Sequence, residues 1–453
     1  MKDSFLIKPA LDEEYPQAEY GKGIYLYDSA GKEYIDGSSG AVTSSIGHGV
    51  PEIAAVMKEQ AEKVSFVYRS QFTSEPAEKL AEKLKEWAPG DLNWSFFVNS
   101  GSEATETALK VALQYWQEKG KPRKTKILSR WMSYHGITLG SLSMSGHVER
   151  RARFEPLLEE FPSVEPPYCF RCPFNSTYPE CQLMCAKDLD KAIRRTGAEN
   201  IAAFIAEPVI GASGAAIVPP EGYYEEVREI CDHHSILFIA DEVMTGIGRC
   251  GAKFAIDHWN VVPDIIAAGK GMSAGYTPLA ATIISDKVMD PIFNGSKLIM
   301  SGHTYSANPQ SAAVGLAVLE YIEKHNLIKE AEVKGDYLLE KLQELRQKYP
   351  VIGHVRGKGL LTGVEFVSNI FNKLPFSKEL NITKAVTSAC RDKGLLVYPA
   401  SAGGVDMKGD AVILAPPLIV KKEEIDKIIT IFESVIKELQ EELQVKGFFH
   451  SAG

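Results

Sequence analysis

One lysine, Lys270, follows a short apolar run within residues 263–275, "PDIIAAGKGMSAG". Glycines flank it on both sides, so neither a solvated helix face nor an ordinary charged loop explains its position. An amine that is removed from bulk water has a lowered pKa, which favours its neutral, nucleophilic form. The residue type and its position therefore predict covalent chemistry with a carbonyl group.

Two carboxylates also stand where apolar runs end. Asp241 closes "ILFIAD", and Glu207 closes "IAAFIAE" directly before a proline. A carboxylate at the end of a strand can cap the next turn, and it can also face a cationic partner in a cleft. Taken singly, each acid is interpreted as structural.

A helix start follows a third apolar run, "SFFVN". Ser100 and Glu103 fit the Ser-x-x-Glu capping box that marks a helix N-terminus. Gly101 and Ser102 would then present free backbone N–H groups, which form a ready site for phosphate. A capped helix without a ligand is the alternative.

Combined at one edge of a sheet, these features meet the requirements of pyridoxal 5′-phosphate. Ligands bind to open α/β sheets outside the carboxyl ends of the strands. The cofactor's aldehyde needs a lysine, its phosphate a helix terminus and its pyridinium nitrogen a carboxylate. Lys270, the N-terminus at residues 101–102 and Asp241 could supply these three groups.

Two nucleotide-binding motifs are present only in part. Gly246, Gly248 and Gly251 match G-x-G-x-x-G, but several residues separate them from the preceding strand, and no good helix pattern follows. Lys270 is not a Walker lysine either, because Gly271 stands where that motif requires serine or threonine. Neither motif supports a nucleotide site.

The elements that must position these residues alternate along the chain. Residues 24–36 have the pattern of a hairpin, and from about residue 51 helices alternate with near-continuously apolar strands. Such strands are expected in a mostly parallel sheet covered by helices on both faces, which predicts an α/β fold. The hairpin could pack with either domain. We assign residues 1–50 to an N-terminal segment that packs with the small one. Residues 51–308 are then the large cofactor-binding domain, and residues 309–453 a smaller α+β domain.

Composition excludes several classes of partner. The net charge of -9, from 50 basic and 59 acidic residues, provides no positive field for nucleic acid or an anionic membrane. The apolar runs are far shorter than the ~20 residues that span a bilayer. The N-terminus lacks the apolar core of a signal peptide, so a cytoplasmic location with reduced cysteines is expected.

Several longer motifs, in order along the chain, resemble those of the class III (ω-amino acid type) aminotransferases. The resemblance runs nearly from end to end and is carried by "NSGSEATETALK", "SRWMSYHG", "AEPV", "FIADEVMTGIGRCGAKFA", "PDIIAAGKGMSAGYTPLAA", "SGHTYSANP" and "LAPPL". It implies pyridoxal phosphate as cofactor and the fold type I, aspartate aminotransferase-like architecture.

The resemblance assigns the residues around the cofactor ring. Lys270 is similar to the lysine that forms the Schiff base and moves the proton between substrate and cofactor. Asp241 matches the partner of the ring nitrogen, Val243 packs on one ring face, and Tyr134 stacks on the other. His135, the next residue of the "YHG" motif, is assigned to cofactor binding.

The remaining assignments concern the phosphate and the assembly. Gly101 and Ser102 match the phosphate cradle, and Glu207 matches the active-site glutamate of the family. Thr304 resembles the residue that reaches the phosphate of the neighbouring subunit's cofactor. The resemblance therefore implies a homodimer with shared active sites; a tetramer that contains such dimers is the alternative assembly.

Two departures from the family pattern concern the substrate. Ile413 stands where relatives acting on ornithine or 4-aminobutyrate have an arginine, so Glu207 lacks that partner and could accept a substrate amine. Met244 replaces a glutamine of the same relatives and resembles the amine or ω-amino acid:pyruvate branch. The receptor for the acceptor carboxylate is not identified; the residues nearest to the mobile arginine of that branch are Asp406 and Lys408.

Two further groups of residues have open interpretations. The segment "SFVYRSQF" offers candidates to line the pocket, for which plain packing is the alternative: Phe66, Tyr68 and Arg69. Four cysteines lie in "CFRCPFNSTYPECQLMC" with C-x2-C-x8-C-x3-C spacing: Cys169, Cys172, Cys181 and Cys185. That spacing is compatible with a zinc site, although we assign no metal ligands; reduced packed thiols and disulfides are the rival interpretations.

The sequence thus predicts a transaminase. Its donor is expected to be an ω- or β-amino acid, a diamine or a related amine, and its acceptor a 2-oxo acid, either pyruvate or 2-oxoglutarate. The alternative on the same fold is an amino-acid racemase or aminomutase, which would need no oxo-acid acceptor. A non-enzymatic scaffold is a third interpretation, and Lys270, Asp241 and the phosphate loop argue against it.

Overall fold

The computed structural model describes residues 5–11, 13–403 and 409–449. Its strands are, in chain order, β1 (Ala18–Lys22), β2 (Tyr25–Asp28), β3 (Glu33–Asp36), β4 (Trp94–Val98), β5 (Lys126–Arg130), β6 (Ser163–Val164), β7 (Ile201–Ala206), β8 (Leu237–Glu242), β9 (Ile265–Ala268), β10 (Ala280–Ile284), β11 (Ile352–Lys358), β12 (Leu361–Phe366), β13 (Leu395–Leu396), β14 (Tyr398–Ala402) and β15 (Gly409–Leu414). Its helices are α1 (Ser39–Val42), α2 (Pro51–Lys63), α3 (Glu75–Trp87), α4 (Gly101–Glu118), α5 (Leu139–Ser143), α6 (Val148–Arg151), α7 (Met184–Thr196), α8 (Tyr223–His233), α9 (Asp286–Asn294), α10 (Pro309–Lys324), α11 (Leu327–Lys348), α12 (Ile382–Asp392) and α13 (Lys422–Val445).

The largest sheet has seven strands in the order β4-β10-β9-β8-β7-β5-β6. Strands β6, β5, β7, β8 and β9 run parallel, and β10 runs antiparallel to both β9 and β4. Every residue of β7 and β8 is buried, as expected of parallel strands that are covered on both faces. The predicted α/β class with a mostly parallel central sheet is confirmed.

Successive residues of β7 pack into different apolar clusters because side chains alternate between the two faces of a strand. Ala203 and Ile205 pack in one cluster with Val111 of α4. Phe204 packs in the other cluster, which also contains Tyr224 of α8. One face of the central sheet is therefore covered from the side of α4, and the other from the side of α8.

Two smaller sheets complete the fold. Strands β11, β12, β15 and β14 form an antiparallel sheet, in that order. The other sheet has the order β1-β2-β3-β13 and contains the predicted N-terminal hairpin as β2 and β3. Its strand β13 joins it in parallel, with Leu395 opposite Ile35, so the N-terminal segment pairs with C-terminal residues.

The division into residues 1–50, 51–308 and 309–453 stays a proposal. None of the helices described is long and apolar enough to cross a membrane.

A buried charged cluster connects the antiparallel sheet to the segment after β6. Glu365 of β12 is fully buried and pairs with Arg356 of β11 (Nη1–Oε2 2.7 Å) and with Arg171. Tyr168 donates a hydrogen bond to the same carboxylate, and Arg356 Nη2 donates one to the Gly214 carbonyl at 2.6 Å. Burial alone would raise the pKa of Glu365, but the two arginines outweigh it and hold that pKa below its usual value.

We expect the Glu365→Gln variant to lose about 3–5 kcal/mol of unfolding free energy, because two buried guanidinium groups lose their counter-charge. Urea unfolding followed by circular dichroism measures the loss. The matched control is Glu441→Gln on α13, whose exposed carboxylate lies 4.0 Å from Lys437; its unfolding free energy should change by less than about 0.5 kcal/mol. Equal losses in the two variants would contradict the assignment of stability to the cluster.

Candidate active site

The carboxyl ends of six strands lie at one edge of the central sheet, because all of its strands except β10 run in the same direction. Strands β7 and β8 are paired up to Ala206, and Asp241 of β8 lies opposite Ala267 of β9. Glu207 directly follows β7, and Lys270 lies two residues beyond the end of β9. Strand β4 ends at the same edge because β4 and β9 both run antiparallel to β10, and β5 does so because it runs parallel to β7. The fold therefore brings together residues that are far apart in the sequence.

Lys270 begins a short 3-10 turn and has a φ of 43°, in the left-handed region that only special sites impose on a side-chain-bearing residue. Burial lowers the pKa of its amine to about 8, although the nearby Asp241 and Glu207 carboxylates act in the opposite direction. Two cations, Arg150 and Arg249, lower the pKa further. A substantial fraction of the amine is thus neutral near pH 8, as a nucleophile requires.

The glycines beside Lys270 differ in what they face. A Cβ on Gly269 would lie 3.3 Å from the Cβ of Ala280 and 3.5 Å from Val243, so a side chain at this position would crowd both neighbours. A Cβ on Gly271 would make ordinary contact with Ile247, at 3.4 Å. Both glycines therefore face protein atoms, and the tighter packing is at Gly269.

Asp241 is buried and held in place on both sides. Its Oδ2 lies 2.7 Å from His135 Nδ1, and its Oδ1 accepts a hydrogen bond from the Val243 backbone at 3.1 Å. His135 is itself fixed, because its backbone N–H donates to Ser145 Oγ at 2.8 Å and its carbonyl accepts from Thr105 at 2.7 Å. The carboxylate is thus presented in one orientation at the end of β8.

The N-terminus of α4 provides the free donors that the sequence predicts. Ser100 Oγ accepts the Glu103 backbone N–H at 3.2 Å, as in a capping box. The return bond differs from the prediction, because Glu103 Oε2 accepts from the Asn99 backbone at 2.7 Å instead of from Ser100. Gly101 and Ser102 hold the first two helical positions, whose N–H groups have no acceptor within a helix.

Close packing over this terminus leaves no room for larger residues. A Cβ on Gly101 would lie 2.6 Å from Val243 Cγ1, and a Cβ on Gly136 would lie 2.6 Å from Ser102 Oγ. Ser102 Oγ also accepts the Ile137 backbone N–H at 3.0 Å. Val243, Gly101 and Ser102 are therefore neighbours, as the resemblance implies.

Glu207 connects two loops through its carboxylate. Its Oε1 accepts the Tyr134 backbone N–H at 3.0 Å, and its Oε2 accepts that of Gly211 at 2.8 Å. Burial raises its pKa. With both oxygens occupied in this way, Glu207 positions Tyr134, and its use by a substrate amine stays a hypothesis.

Arg130, at the end of β5, is a positioning residue that we did not identify from the sequence. It is fully buried, and its Nη1 donates to the Tyr224 hydroxyl at 3.2 Å. Its Nη2 donates to the backbone carbonyl of Glu207. The signal was available, since "SRWMSYHG" places a charged residue at the end of an otherwise buried strand.

The other predicted residues lie around this centre or away from it. Met244 is buried, and a Cβ on Gly211 would lie 2.4 Å from its sulfur. Thr304 is exposed in a loop whose His303 approaches Glu103 of α4 (Nδ1–Oε1 3.8 Å). Of the predicted pocket-lining residues, Phe66 and Arg69 contact that loop, and Tyr68 is exposed. Asp406 and Lys408, the residues nearest in sequence to the mobile arginine of relatives, lie outside the described part of the chain.

The four clustered cysteines line one small void beside Tyr168 and Pro220. All seven cysteines of the chain are unpaired, which excludes the disulfide interpretation for this structure. Burial raises the pKa of Cys185 to about 12 and also raises that of Cys169, so these thiols stay protonated. Within residues 5–11, 13–403 and 409–449, no group of three or more His, Cys, Asp or Glu side chains could hold a metal ion. The geometry supports packed reduced thiols.

The site fits pyridoxal 5′-phosphate in its donors, its charge and its shape. The first N–H groups of α4 can take an anion, and the carboxylate of Asp241 can pair with a ring nitrogen. His135 Nε2 is buried without a partner in the part of the chain that the structure describes, so one polar atom beside the site stays unsatisfied. The amine of Lys270, with its lowered pKa, suits an aldehyde.

Comparisons with known proteins agree on one family. The family described as "Aminotransferase class-III" matches residues 11–436. The "uncharacterized aminotransferase YodT" of Bacillus subtilis (strain 168) is 53% identical over 441 residues, covering 97% of this chain and 99% of that protein.

Solved structures give the same result. A transaminase from the marine bacterium Virgibacillus superposes with a TM-score of 0.91 at 35% identity and covers 98% of both chains. An amine transaminase from an uncultivated Pseudomonas species, in its PLP-bound form, gives a TM-score of 0.89 at 34% identity, with coverages of 96% and 98%.

Proposed function

This chain belongs to the class III aminotransferase family, and on that premise we propose which amino group it moves and to what. The enzyme is an aminotransferase that depends on pyridoxal phosphate, as the family does. Its donor is an ω- or β-amino acid, a diamine or an amine, and its acceptor is pyruvate or 2-oxoglutarate. The two substrates react in turn, by a ping-pong mechanism. The observation that carries this proposal is the meeting of Lys270, Asp241 and the N-terminus of α4 at one sheet edge.

The residues at that edge have distinct tasks toward the cofactor. When bound, pyridoxal phosphate supplies an aldehyde that takes up the amino group and a protonated ring that withdraws electrons. Asp241 keeps the ring nitrogen protonated, and His135 holds that carboxylate in its orientation. Val243 and Tyr134 are the residues that would contact the two ring faces. The backbone N–H groups of Gly101 and Ser102 would bind the phosphate.

Lys270 has a second task, which is to move a proton. Its Nζ takes a proton from the amino-bearing carbon of the donor, and in the second half-reaction it returns a proton to the former carbonyl carbon of the acceptor. A base for this step needs a pKa near the working pH. Burial supplies it, because it lowers the pKa of this amine to about 8.

Two apolar positions support an amine or ω-amino acid donor. Met244 is buried against Gly211, beside the carboxylate of Glu207. Ile413 is fully buried in β15, opposite Gly363, where relatives acting on ornithine or 4-aminobutyrate have an arginine. Neither position can bind a second carboxylate of the donor, which disfavours donors that depend on that arginine.

We also propose a homodimer with shared active sites as the minimal unit, either of a dimer or of a larger tetramer. Thr304 is exposed, so it is free to approach the phosphate of a neighbouring subunit. Large apolar side chains around it are exposed as well: Leu298, Met300 and Tyr305. An apolar surface beside an active-site loop is typical of an obligate interface.

The unpaired cysteines support a location in a reducing compartment. All seven thiols are free, including the four that lie close together near Tyr168. Disulfides would be expected between neighbouring cysteines in an oxidising environment. We therefore propose that the enzyme works in the cytoplasm.

A donor and acceptor screen tests the proposed function. The purified holoenzyme is offered β-alanine, 4-aminobutyrate, putrescine and a simple amine, each with pyruvate, with 2-oxoglutarate or with no acceptor. We expect carbonyl product in excess of the enzyme only when an oxo acid is present, together with the amino acid derived from that oxo acid. Conversion of more than one equivalent of donor per active site without any acceptor would instead indicate a racemase or aminomutase and overturn the proposal.

A further inference from the structure

The acceptor carboxylate needs a cationic partner, and residues 5–11, 13–403 and 409–449 provide two arginines that act on Lys270, Arg150 and Arg249. This inference rests on the proposed transaminase function, in which every acceptor is a 2-oxo acid. The arginine of relatives that act on ornithine or 4-aminobutyrate is replaced here by Ile413, which is apolar and fully buried. Arg150 and Arg249 both contribute to the lowered pKa of the Lys270 amine, and the Arg150 guanidinium lies over the ring of Tyr134.

The guanidinium of Arg249 is already engaged in hydrogen bonds within the fold. It is buried, its Nη1 donates to the carbonyls of Leu360 at 3.0 Å and Pro416 at 2.7 Å, and its Nη2 donates to Ser39 Oγ at 3.1 Å. These bonds join three separate segments of the chain. Freeing this guanidinium for a substrate would leave buried carbonyl groups unsatisfied, which is costly.

Arg150 is in the opposite situation. It lies on the short helix α6, its side chain is exposed, and its guanidinium carbon lies 4.6 Å from the centre of the Tyr134 ring. Among the described residues its guanidinium donates no hydrogen bond and has no carboxylate at ion-pair distance. The adjacent Arg151 is fully engaged, with hydrogen bonds to three carbonyls of residues 142–145 and a 3.2 Å ion pair to Glu155.

The surroundings of Arg150 place it at the site and not merely near it. Tyr134, on which it rests, is bound through its backbone to Glu207 at the sheet edge. Tyr398 of β14 lies close enough to both residues for their charges to affect its pKa. Arg150 therefore stands where the central sheet and the antiparallel C-terminal sheet face each other.

We propose that Arg150 binds the carboxylate of the 2-oxo acid acceptor. A guanidinium can give two parallel, charge-assisted hydrogen bonds to a carboxylate, which is a stronger interaction than its contact with an aromatic ring. In the half-reaction with a donor that has no carboxylate, Arg150 stays on Tyr134. One residue thus lets a single pocket accept a neutral side group and an anionic one in turn.

A pair of acceptors that differ in the carboxylate tests this assignment. The enzyme with its cofactor in the aminated form is mixed with pyruvate or with acetaldehyde, and the return of the aldehyde form is followed by absorbance. For Arg150→Ala we expect the KM for pyruvate to rise about 10- to 100-fold, from the loss of a charge-assisted pair. The KM for acetaldehyde and the kcat with either acceptor should change less than about 3-fold.

Two further variants separate binding from folding. Arg153→Ala removes an exposed arginine three residues along the chain and should leave both KM values unchanged. Arg150→Lys keeps the charge but not the paired donors, and should recover part of the affinity for pyruvate. If Arg150→Ala raises the KM for both acceptors equally, or for neither, the assignment is wrong.

A binding measurement keeps this inference separate from the proposed function. Calorimetric titration of the holoenzyme with propanoate, which has a carboxylate but no carbonyl group, requires no turnover. We expect binding at least about 10-fold weaker in Arg150→Ala than in Arg153→Ala. A wild type that aminates neither oxo acid would refute the transaminase proposal, while equal propanoate binding by the two variants would refute the role of Arg150.

Discussion

Amino-group transfer by the Lys270→Ala variant is expected to fall by on the order of 10⁴-fold in kcat, because the variant loses the amine that takes and returns the proton. Single-turnover kinetics with a donor and either oxo acid measure the loss. A small amine added to the solution should restore part of the activity, as expected when a missing base is supplied from outside.

The control for this variant is Lys191→Ala, which removes an exposed lysine on α7 and should keep full activity. Borohydride treatment of the holoenzyme should fix the cofactor to the Lys191→Ala protein and to the wild type, but not to Lys270→Ala. Fixation at another lysine, or normal turnover by Lys270→Ala, would refute the assignment.

The lowered pKa of Lys270 gives a pH dependence with a definite sign. Only the neutral amine attacks an aldehyde, so the rate at which the apoenzyme takes up pyridoxal phosphate should rise with pH and level off above about 8. An exposed lysine, with a pKa of about 10.4, would still gain reactivity well beyond that point. Stopped-flow absorbance between pH 6 and pH 10, within the stable range of the protein, distinguishes the two profiles.

The parts of the site on regular elements could be predicted from the sequence. Continuous apolar runs identify β7, β8 and β9, and parallel strands place their carboxyl ends together, so Glu207, Asp241 and Lys270 had to be neighbours. The register between paired strands then fixes where Glu207, Asp241 and Lys270 lie along this edge. The cofactor follows from the chemistry of those three groups and from the N-terminus of α4.

The parts that could not be predicted depend on side-chain direction across loops. Nothing in "HVERRARF" distinguishes Arg150, which rests on Tyr134, from Arg151, which binds carbonyls. The return bond of the α4 cap shifted from Ser100 to Asn99 for the same reason, since loop geometry decides which N–H reaches Glu103.

The Asp241→Asn variant gives the second large expected effect, a fall in kcat of about 10²- to 10³-fold. Asparagine has the same shape, and its Oδ1 can still accept the Val243 N–H, so the loop after β8 should stay in place. What is lost is the negative charge that keeps the cofactor ring protonated, and with it the withdrawal of electrons during proton removal. Steady-state kinetics with saturating cofactor and the cofactor's absorbance spectrum measure the effect.

The neighbouring acid provides a matched control for that variant. Glu242 is also buried at the end of β8, but it points away from the site and accepts the Ile256 backbone N–H at 2.8 Å. Burial raises its pKa to about 7, so the neutral glutamine of Glu242→Gln resembles a form that the wild type already populates. That variant should keep kcat within about 3-fold, because it leaves the charge at Asp241 intact. If both variants lose activity equally, the loss comes from damage to β8, and the ring nitrogen is not the target of Asp241.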